Sequence, residues 1–300
     1  MPAVELSHIT KTFGPVKAVT DVSYSVEKGE LFGLLGPNGA GKTTSLRILL
    51  DIFKPDSGSV TVLGGPLTVA KKDRIGYMPE ERGLYQDIPL ERCLVYLGSL
   101  KGLSPAEVKE RSAGYLERFD LAEHKKKKVK ELSKGMQQKA QIIATILHRP
   151  ELLIVDEPFS GLDPVNTQMV KELLREQRDQ GVTVILCSHQ MNLVEELCDR
   201  IVLIDHGKVM LYGDLAGIRK RFSGNAVMVR SQTELPKLPG VDSVEPINGT
   251  VKLNLARGAD PQGILQELAR RKIPVERFEI AMPTLDEIFI RVVQGQEDPA

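Results

Sequence analysis

The chain has 300 residues, of which 41% are hydrophobic and 27% are charged, and its 40 basic side chains balance 40 acidic ones. This length predicts about two globular domains, and zero formal net charge argues against a general nucleic-acid-binding protein, which usually carries a basic excess. No run approaches the roughly 18 to 20 uninterrupted apolar residues that span a bilayer, and the first residues lack a signal-peptide pattern, so any membrane role is expected to come through a partner.

Strand patterns recur from the N-terminus to about residue 215. In chain order, the predicted strands are residues 4–9, 19–26, 31–35, 59–63, 75–80, 152–155, 182–186, 201–204 and 208–212. The first two alternate apolar and polar side chains, as half-buried antiparallel strands do. Residues 31–35, 152–155 and 182–186 are apolar throughout, which indicates strands buried in a parallel sheet. The last two predicted strands flank a turn at residues 205–207 and form a hairpin.

Helical patterns lie between these strands, at residues 45–50, 90–119 and 133–147. The second pattern breaks near Ser104 and Pro105, where Ser is a good N-cap and Pro fits the first helical position. The lysine-rich run 124–130 predicts a solvated linker, with a patch for anionic lipid or nucleic acid as the alternative. This alternation of strands and helices predicts that residues 1–215 form an α/β domain.

A second, smaller unit follows. Its predicted strands are residues 226–229, 241–245, 250–255 and 275–280, and its predicted helices begin at Asp260 and Thr284. Asn248 and Gly249 mark a hairpin turn, and Thr284 and Glu287 have the spacing of a capping box. We expect a small α+β domain at residues 225–300, and no catalytic group of residues is visible in it.

The strongest chemical signal is the segment between the strand at residues 31–35 and the helix at 45–50. Its residues are Gly36, Pro37, Asn38, Gly39, Ala40, Gly41, Lys42, Thr43 and Thr44. A strand, a glycine-rich loop ending in Gly-Lys-Thr and a helix form a P-loop. Glycines let successive backbone N–H groups point at one anion, and the helix N-terminus adds its positive dipole end. Lys42 would meet the outer phosphates of a nucleoside triphosphate, and the Thr43 hydroxyl would meet Mg²⁺.

Two acidic residues end the apolar strand at 152–155. Asp156 is well placed to hold Mg²⁺ beside a P-loop, which leaves Glu157 free to orient and deprotonate the attacking water. His189 follows the strand at 182–186. Because the carboxyl ends of parallel strands face the ligand crevice, we expect His189 to point at the same phosphate end as Glu157.

A second helix N-terminus offers another anion site. Ser133 is a predicted N-cap, followed by Lys134 and Gly135, and the helix continues to Leu147. One nucleotide already has a P-loop, so this second site is expected to serve the nucleotide of a neighbouring copy. A simple helix cap is the alternative.

The order of these motifs over residues 4–215 resembles the nucleotide-binding subunit of ABC transporters. Gly36–Thr44 resemble Walker A, Leu132–Gln137 the family signature, Leu152–Glu157 Walker B with the catalytic glutamate, Ser160–Asp163 the D-loop, and His189 the switch histidine. The resemblance implies a P-loop cassette with a mixed sheet and a helical subdomain at about residues 85–145. It implies ATP and Mg²⁺ as ligands, Phe13 stacked on adenine, and Ser133, Gly135 and Asp163 contacting ATP in trans.

Two residues depart from the family pattern, and two segments point to a subgroup of the family. Glu80 stands where the family has the Q-loop glutamine, and Lys134 stands where the signature has a second glycine. A carboxylate at position 80 can still hold Mg²⁺ or water, but it adds negative charge near the γ-phosphate. The run Glu80–Tyr85 and the segment 283–289 resemble a subgroup that includes sodium-exporter ATPases and carries a small C-terminal domain.

The resemblance implies an ATPase that forms a homodimer or pairs with another ABC subunit. It implies a separately encoded polytopic permease as partner, no nucleic-acid partner, and a place at the cytoplasmic face of the cell membrane. An exporter is expected, with a soluble ABC ATPase acting on ribosomes or nucleic acid as the alternative. The ribosome class usually has two cassettes in tandem, and the DNA-repair class inserts a long coiled coil that is absent between Lys42 and Ser133.

Overall fold

The computed structural model describes residues 1–81, 83–223, 226–233, 235–247, 249–256 and 258–294. Arg82 of the Glu80 segment, Asn248 of the predicted turn, and residues 225, 234, 257 and 295–300 of the predicted C-terminal domain lie outside the described residues. The chain divides into two compact units, Met1–Leu215 and Ala216–Ala300.

Two sheets form the strand framework of the first unit. Its strands are β1 (Val4–Phe13), β2 (Val16–Val26), β3 (Leu31–Leu35), β4 (Ser57–Val62), β5 (Ile75–Met78), β6 (Leu152–Asp156), β7 (Thr183–Ser188), β8 (Arg200–Asp205) and β9 (Lys208–Asp214). The larger sheet has the order β5-β6-β7-β3-β8-β9, and its strands are parallel except for the antiparallel pair β8–β9. The smaller sheet, β2-β1-β4, is antiparallel. The predicted α/β fold with a mixed sheet is confirmed.

Helices connect these strands. They are α1 (Lys42–Leu49), α2 (Val69–Lys72), α3 (Leu90–Ser99), α4 (Pro105–Arg118), α5 (Lys134–Ile146), α6 (Pro164–Asp179) and α7 (Met191–Leu197), with short 3₁₀ helices at Ala122–His124 and Val129–Glu131. The predicted break near Ser104 is present, and Ser104 and Glu107 form a capping box that starts α4. Sequence patterns did not predict α6 and α7.

The register of the parallel strands brings the predicted site residues to one edge of the larger sheet. Every residue of β3, β6 and β7 is buried, as expected for strands covered on both faces. Leu35 at the end of β3 pairs with Ser188 at the end of β7, and Asp156 at the end of β6 pairs with Cys187. The loops that follow these three strands therefore start side by side.

Helix α7 packs closely on the strand that leads into the P-loop. A Cβ atom added at Gly33, in the middle of β3, would lie 2.5 Å from Cγ1 of Val194 in α7. Only a glycine allows this separation between the helix and the strand, because interiors are packed to the density of organic crystals. His189 and Gln190 form the short connection from β7 to α7, so the position of α7 bears on that of His189.

The second unit has a four-stranded antiparallel sheet. Its elements are α8 (Leu215–Phe222), whose first residue belongs to the first unit, β10 (Ala226–Ser231), β11 (Val241–Ile247), β12 (Thr250–Leu255), α9 (Pro261–Arg270), β13 (Val275–Ile280) and α10 (Leu285–Val293). The strand order is β11-β12-β10-β13. One face of the sheet packs its core against Ile264 and Leu268 of α9. Thr284 and Glu287 form the predicted capping box of α10.

None of the helices in the described ranges is long and apolar enough to cross a membrane.

Candidate functional site

The loop between β3 and α1 has a backbone that only glycine can adopt at two positions. Gly36 has a φ of 148° and Gly41, the N-cap of α1, has a φ of 105°. A Cβ atom would lie 2.0 Å from the Ile204 carbonyl oxygen at the first position and 2.4 Å from the Ala18 carbonyl oxygen at the second. The loop is therefore wedged between β8 and β2, and its shape is fixed before a ligand arrives.

Lys42 lies across this loop. Its Nζ donates hydrogen bonds to the carbonyl oxygens of Gly36 (2.7 Å) and Pro37 (3.0 Å), and only 7% of the residue is exposed. Both acceptors are uncharged, and the described residues provide no carboxylate within ion-pair distance of this ammonium group. The ammonium charge thus remains available to a phosphate, which would be a stronger, charge-assisted acceptor.

A cavity of about 580 Å³ opens over the loop. Its lining consists of residues 38–44, together with residues 16–18, Glu80, Asp156, Glu157, His206 and Gly207. The volume suits a nucleotide-sized ligand. Sequence reasoning missed residues 16–18 and 206–207, because the start of β2 and the turn between β8 and β9 reach the P-loop only through the tertiary fold.

Phe13 is not among the described residues that line this cavity. It ends β1, is 41% exposed, and its ring meets the ring of Phe53 edge-on at 5.3 Å between centroids. Lys11 Nζ lies 5.5 Å from the Phe13 ring centroid. An exposed ring beside the site is free to stack on a base, and this role of Phe13 stays a prediction.

Thr43 and Asp156 form the part of the site that fits a divalent cation. Thr43 Oγ1 donates to Asp156 Oδ2 at 3.4 Å, and Asp156 is 1% exposed. Burial raises the pKa of Asp156, and the nearby negative charges of Glu157 and Glu80 raise it further, while a hydrogen bond with Cys187 and the charge of Lys42 oppose this. A carboxylate whose charged form is disfavoured in this way gains from a bound cation.

The donor set also matches the chemistry of Mg²⁺. A hydroxyl and carboxylates are hard oxygen ligands, and Mg²⁺ in such sites is usually held by one or two carboxylates with water and substrate phosphates. No group of three or more His, Cys, Asp or Glu side chains in the described part of the chain could hold a metal by itself. The residues therefore fit a Mg²⁺ ion that shares its ligands with a nucleotide.

Glu157 is buried, and both of its carboxylate oxygens accept hydrogen bonds. Its Oε1 accepts hydrogen bonds from the backbone N–H (2.7 Å) and Nδ1 (2.7 Å) of His189, and its Oε2 accepts one from Ser188 Oγ (3.0 Å). The structure thus brings Glu157 and His189 into direct contact. Sequence reasoning missed Ser188, although a hydroxyl directly before a histidine at a strand end was a visible signal.

The backbone of Glu157 carries strain. Its φ of 50° lies in the left-handed region, which costs a non-glycine residue about 1 kcal/mol or more. The backbone N–H of Glu157 donates to the Cys187 carbonyl oxygen at 2.9 Å, and Gln138 Nε2 donates to the Glu157 carbonyl oxygen at 3.2 Å. These contacts keep the residue in a conformation that directs its carboxylate to the end of β7.

The residues predicted to act in trans lie outside the cavity. Ser133 is exposed and caps α5, with its Oγ accepting from the Met136 N–H at 3.2 Å. Gly135 packs so closely on the D-loop that a Cβ atom would lie 3.3 Å from the Gly161 carbonyl oxygen. Asp163 caps α6 by accepting from the Asn166 N–H at 2.9 Å, and this hydrogen bond holds the pKa of Asp163 below its usual value.

Comparison with known proteins agrees with this geometry. A family model described as "ABC transporter" matches residues 19–160, and one described as "ATP-binding protein DrrA1-3-like, C-terminal domain" matches residues 213–293. YhaQ, an uncharacterised ABC transporter ATP-binding protein of Bacillus subtilis (strain 168), is 41% identical over 292 residues, which cover 96% of this chain and 97% of YhaQ. The chain belongs to the ABC transporter ATP-binding proteins. This ABC protein is therefore an ATPase with an ATP-binding cassette.

Further relatives support the same family. Nod factor export ATP-binding protein I of Rhizobium sp. (strain N33) is 34% identical over 304 residues, covering 98% of each chain. A solved structure titled "Structure of ATP binding subunit of ABC transporter" matches with a TM-score of 0.69 and 32% identity, covering 73% of this ABC protein and 93% of that chain. The ABC-type cassette fold predicted from the motifs is confirmed.

Proposed function

We propose that this ABC ATPase is the energy-coupling subunit of an exporter, works as a nucleotide-sandwich dimer, and drives a separately encoded permease at the cytoplasmic face of the cell membrane. Residues 1–215 form the ATP-binding cassette, residues 85–145 its helical subdomain, and residues 225–300 the C-terminal domain. The similarity to Nod factor export ATP-binding protein I supports the direction of transport.

The proposed dimer rests on one observation about the nucleotide cavity. Among the described residues, the cavity over the P-loop is lined by none of the signature and D-loop residues Ser133, Gly135 and Asp163. Ser133 nevertheless presents an exposed hydroxyl at a helix N-terminus, which is an anion-binding arrangement. A second copy related by a two-fold axis would supply this helix end to the nucleotide bound by the first copy, and the first copy would do the same for the second. Two identical nucleotide sites would then form at one dimer interface.

In each site the nucleotide is bound by residues of the P-loop. Lys42 would leave the Gly36 and Pro37 carbonyl oxygens for the outer phosphates, which backbone N–H groups of the glycine-rich loop and of the start of α1 would also bind. Thr43, Asp156 and Glu80 would hold Mg²⁺, which when bound neutralises charge that develops on the transferring phosphoryl group.

Hydrolysis uses Glu157 and His189. A water oxygen forms a bond to the γ-phosphorus, the bond from the γ-phosphorus to the β–γ bridging oxygen breaks, and Glu157 accepts the proton of the water. His189 is anchored through Nδ1 to Glu157, and its side chain is 52% exposed, which leaves Nε2 to meet the γ-phosphate and the water. Loss of the shared anion then loosens the dimer, and this opening is the change that a permease can read.

The dimer can be tested by mixing two inactive variants. Lys42→Ala removes the phosphate lysine, and Ser133→Arg blocks the signature helix end by bulk and charge. Each variant alone should be inactive, but a mixed dimer contains one site with both Lys42 and Ser133 intact. We expect the mixture to regain up to about a quarter of wild-type ATPase activity, since half of randomly paired dimers are mixed and each has one of two sites.

The same titration contains its control. Mixing either variant with a copy that carries both substitutions should restore nothing, because no intact pair of half-sites then forms. Recovery should also rise with protein concentration, as expected for association. An inactive mixture at every concentration and ratio, with both variants shown to be folded, would remove the support for a shared site.

The face proposed for the permease lies on α3 and α4. A groove of about 540 Å³ there is lined by Ile88, Arg92, Val95 and Tyr96 with neighbouring polar residues. Tyr85 and Tyr96 are half exposed and meet edge-on at 5.1 Å between ring centroids. Exposed aromatic residues beside a groove are typical of binding surfaces. The segment after Glu80 leads directly to this face, which connects it to the nucleotide cavity.

Purification from mild-detergent extracts of the native cell tests this partner. We expect the full-length chain to co-purify with a polytopic membrane protein, and Tyr96→Glu to weaken that association by placing a charge on the docking face. Val69→Glu, at an exposed position on α2 outside the groove, makes the same change of charge and is the matched control. Co-sedimentation with ribosomes in place of a membrane partner would overturn the exporter assignment.

A further inference from the structure

Helix α5 carries an unusual number of buried polar side chains. Gln137, Gln138, Lys139 and Gln141 are each between 4% and 6% exposed, although such residues are seldom buried without a partner. Gln138 Nε2 donates to the carbonyl oxygens of Glu157 (3.2 Å) and Pro158 (3.1 Å), and Lys139 Nζ donates to Asn166 Oδ1 (3.0 Å). The helix that begins at Ser133 thus binds the Walker B loop and the start of α6.

Gln141 extends these contacts to the segment that carries Glu80. Its Nε2 donates to the carbonyl oxygens of Pro79 (2.8 Å) and Glu81 (3.2 Å), and its Oε1 accepts from the backbone N–H of Gly83 (3.3 Å). The contacts lie on both sides of Glu80, whose own side chain is exposed and lines the nucleotide cavity. One buried amide therefore holds the backbone from which the Glu80 carboxylate extends.

An amide is the side-chain group that meets this demand. Two carbonyl oxygens need donors and one N–H needs an acceptor, and a glutamine offers both from a single planar group. Glutamate offers no donor when ionised, and leucine offers neither a donor nor an acceptor. The residue type at position 141 is thus explained by the backbone groups of Pro79, Glu81 and Gly83 rather than by packing within α5.

We propose that Gln141 is a positioning residue that fixes Glu80 relative to the nucleotide and links it to the signature end of α5. Gln141 lies eight residues, or about 12 Å of helix, from Ser133. The second part of the inference rests on the proposed dimer: when Ser133 meets the nucleotide of the partner copy, the same rigid helix sets Glu80 in its own copy. The two sites of the dimer are then coupled through one helix.

The first test needs no nucleotide. In the free full-length chain, Gln141→Leu should speed hydrogen exchange of the Gly83 amide by about tenfold, because that N–H loses its acceptor. Gln141→Glu keeps the shape and an acceptor while removing both donors, so it should loosen residues 80 and 81 and leave Gly83 partly protected. Unchanged exchange at these amides in both variants would overturn the proposal, whatever the fate of the dimer.

The second test is kinetic. Gln141→Leu should lower kcat for ATP by about tenfold with little change in KM, since the P-loop contacts that bind ATP are intact. The double variant Gln141→Leu with Glu80→Ala should have nearly the same kcat as Glu80→Ala alone, because a carboxylate that is absent no longer needs positioning. If the two substitutions lower kcat by independent factors that multiply, the role of Gln141 is contradicted. A higher KM with unchanged kcat in Gln141→Leu would contradict it as well.

Thr145→Val is the matched control. Thr145 lies one turn further along α5, is 8% exposed, and its Oγ1 donates to the backbone carbonyl oxygen of Gln141 at 2.8 Å. We expect this variant to keep wild-type kcat and wild-type exchange at Gly83. A loss of kcat equal to that of Gln141→Leu would show that any disturbance of α5 slows hydrolysis, and the specific link to Glu80 would fail.

Discussion

Replacing Glu157 by glutamine should lower kcat for ATP hydrolysis by at least about a hundredfold, because an amide cannot accept the proton of the attacking water. Glutamine keeps the size of the side chain and an oxygen that can accept from His189 or Ser188, which now hold the carboxylate at 2.7 and 3.0 Å. ATP affinity should therefore persist. Phosphate release measures the first effect, and binding of a fluorescent ATP analogue measures the second.

The same variant should accumulate as an ATP-bound dimer, since the shared anion is no longer destroyed. Sedimentation velocity with and without ATP would show this. Glu123→Gln, at an exposed position outside the site, changes the charge equally and should behave as wild type. Hydrolysis at the wild-type rate would assign the base to another group, and loss of ATP binding would show that Glu157 mainly maintains the structure.

Lys42→Ala should weaken ATP binding by about a hundredfold, because it removes a charge-assisted contact to the outer phosphates worth roughly 2 to 3 kcal/mol. Turnover should fall below detection. Isothermal titration calorimetry with a non-hydrolysable analogue gives the affinity directly. Lys28→Ala, at an exposed position near the start of β3, is the control and should bind normally.

The alanine variant also loses the hydrogen bonds from Lys42 to Gly36 and Pro37. Thermal unfolding without nucleotide separates this effect from lost phosphate contacts: a small decrease in melting temperature is expected, far less than needed to unfold the protein at assay temperature. Intact turnover in a folded Lys42→Ala protein would refute the assignment of the P-loop as the ATP site.

Local sequence was sufficient for the parts of the site that lie in one segment. The P-loop follows β3 within a few residues, and the acidic pair Asp156 and Glu157 ends an apolar run, so spacing alone predicts that they lie together, and residues 38–44 and both acids line one cavity. The contact between Glu157 and His189 was expected only in outline, from the rule that parallel strands end at one edge. The structure adds the distance and the hydroxyl of Ser188.

Contacts between distant segments were beyond sequence reasoning. Ala18, near the start of β2, and Gly207, in the turn between β8 and β9, approach the P-loop at positions that depend on strand pairing across the first unit. In the sequence Gln141 looks like an ordinary polar residue of a helix, and only the fold brings Pro79, Glu81 and Gly83 against it. The sequence patterns did not predict helix α6, although Asp163 followed by Pro164 is a helix-start signal.

Gly33 shows how a buried position without chemistry of its own can govern turnover. A methyl group there would push Val194 and α7 outward, and His189 stands on the two-residue connection that enters α7. Genetic screens for inactive variants would then recover changes in the protein interior that have the kinetic profile of a His189 substitution, with ATP affinity preserved. Such alleles should be suppressed by smaller side chains at position 194. This suppression would show that turnover depends on the packing of α7 against β3, although neither Gly33 nor Val194 lines the nucleotide cavity.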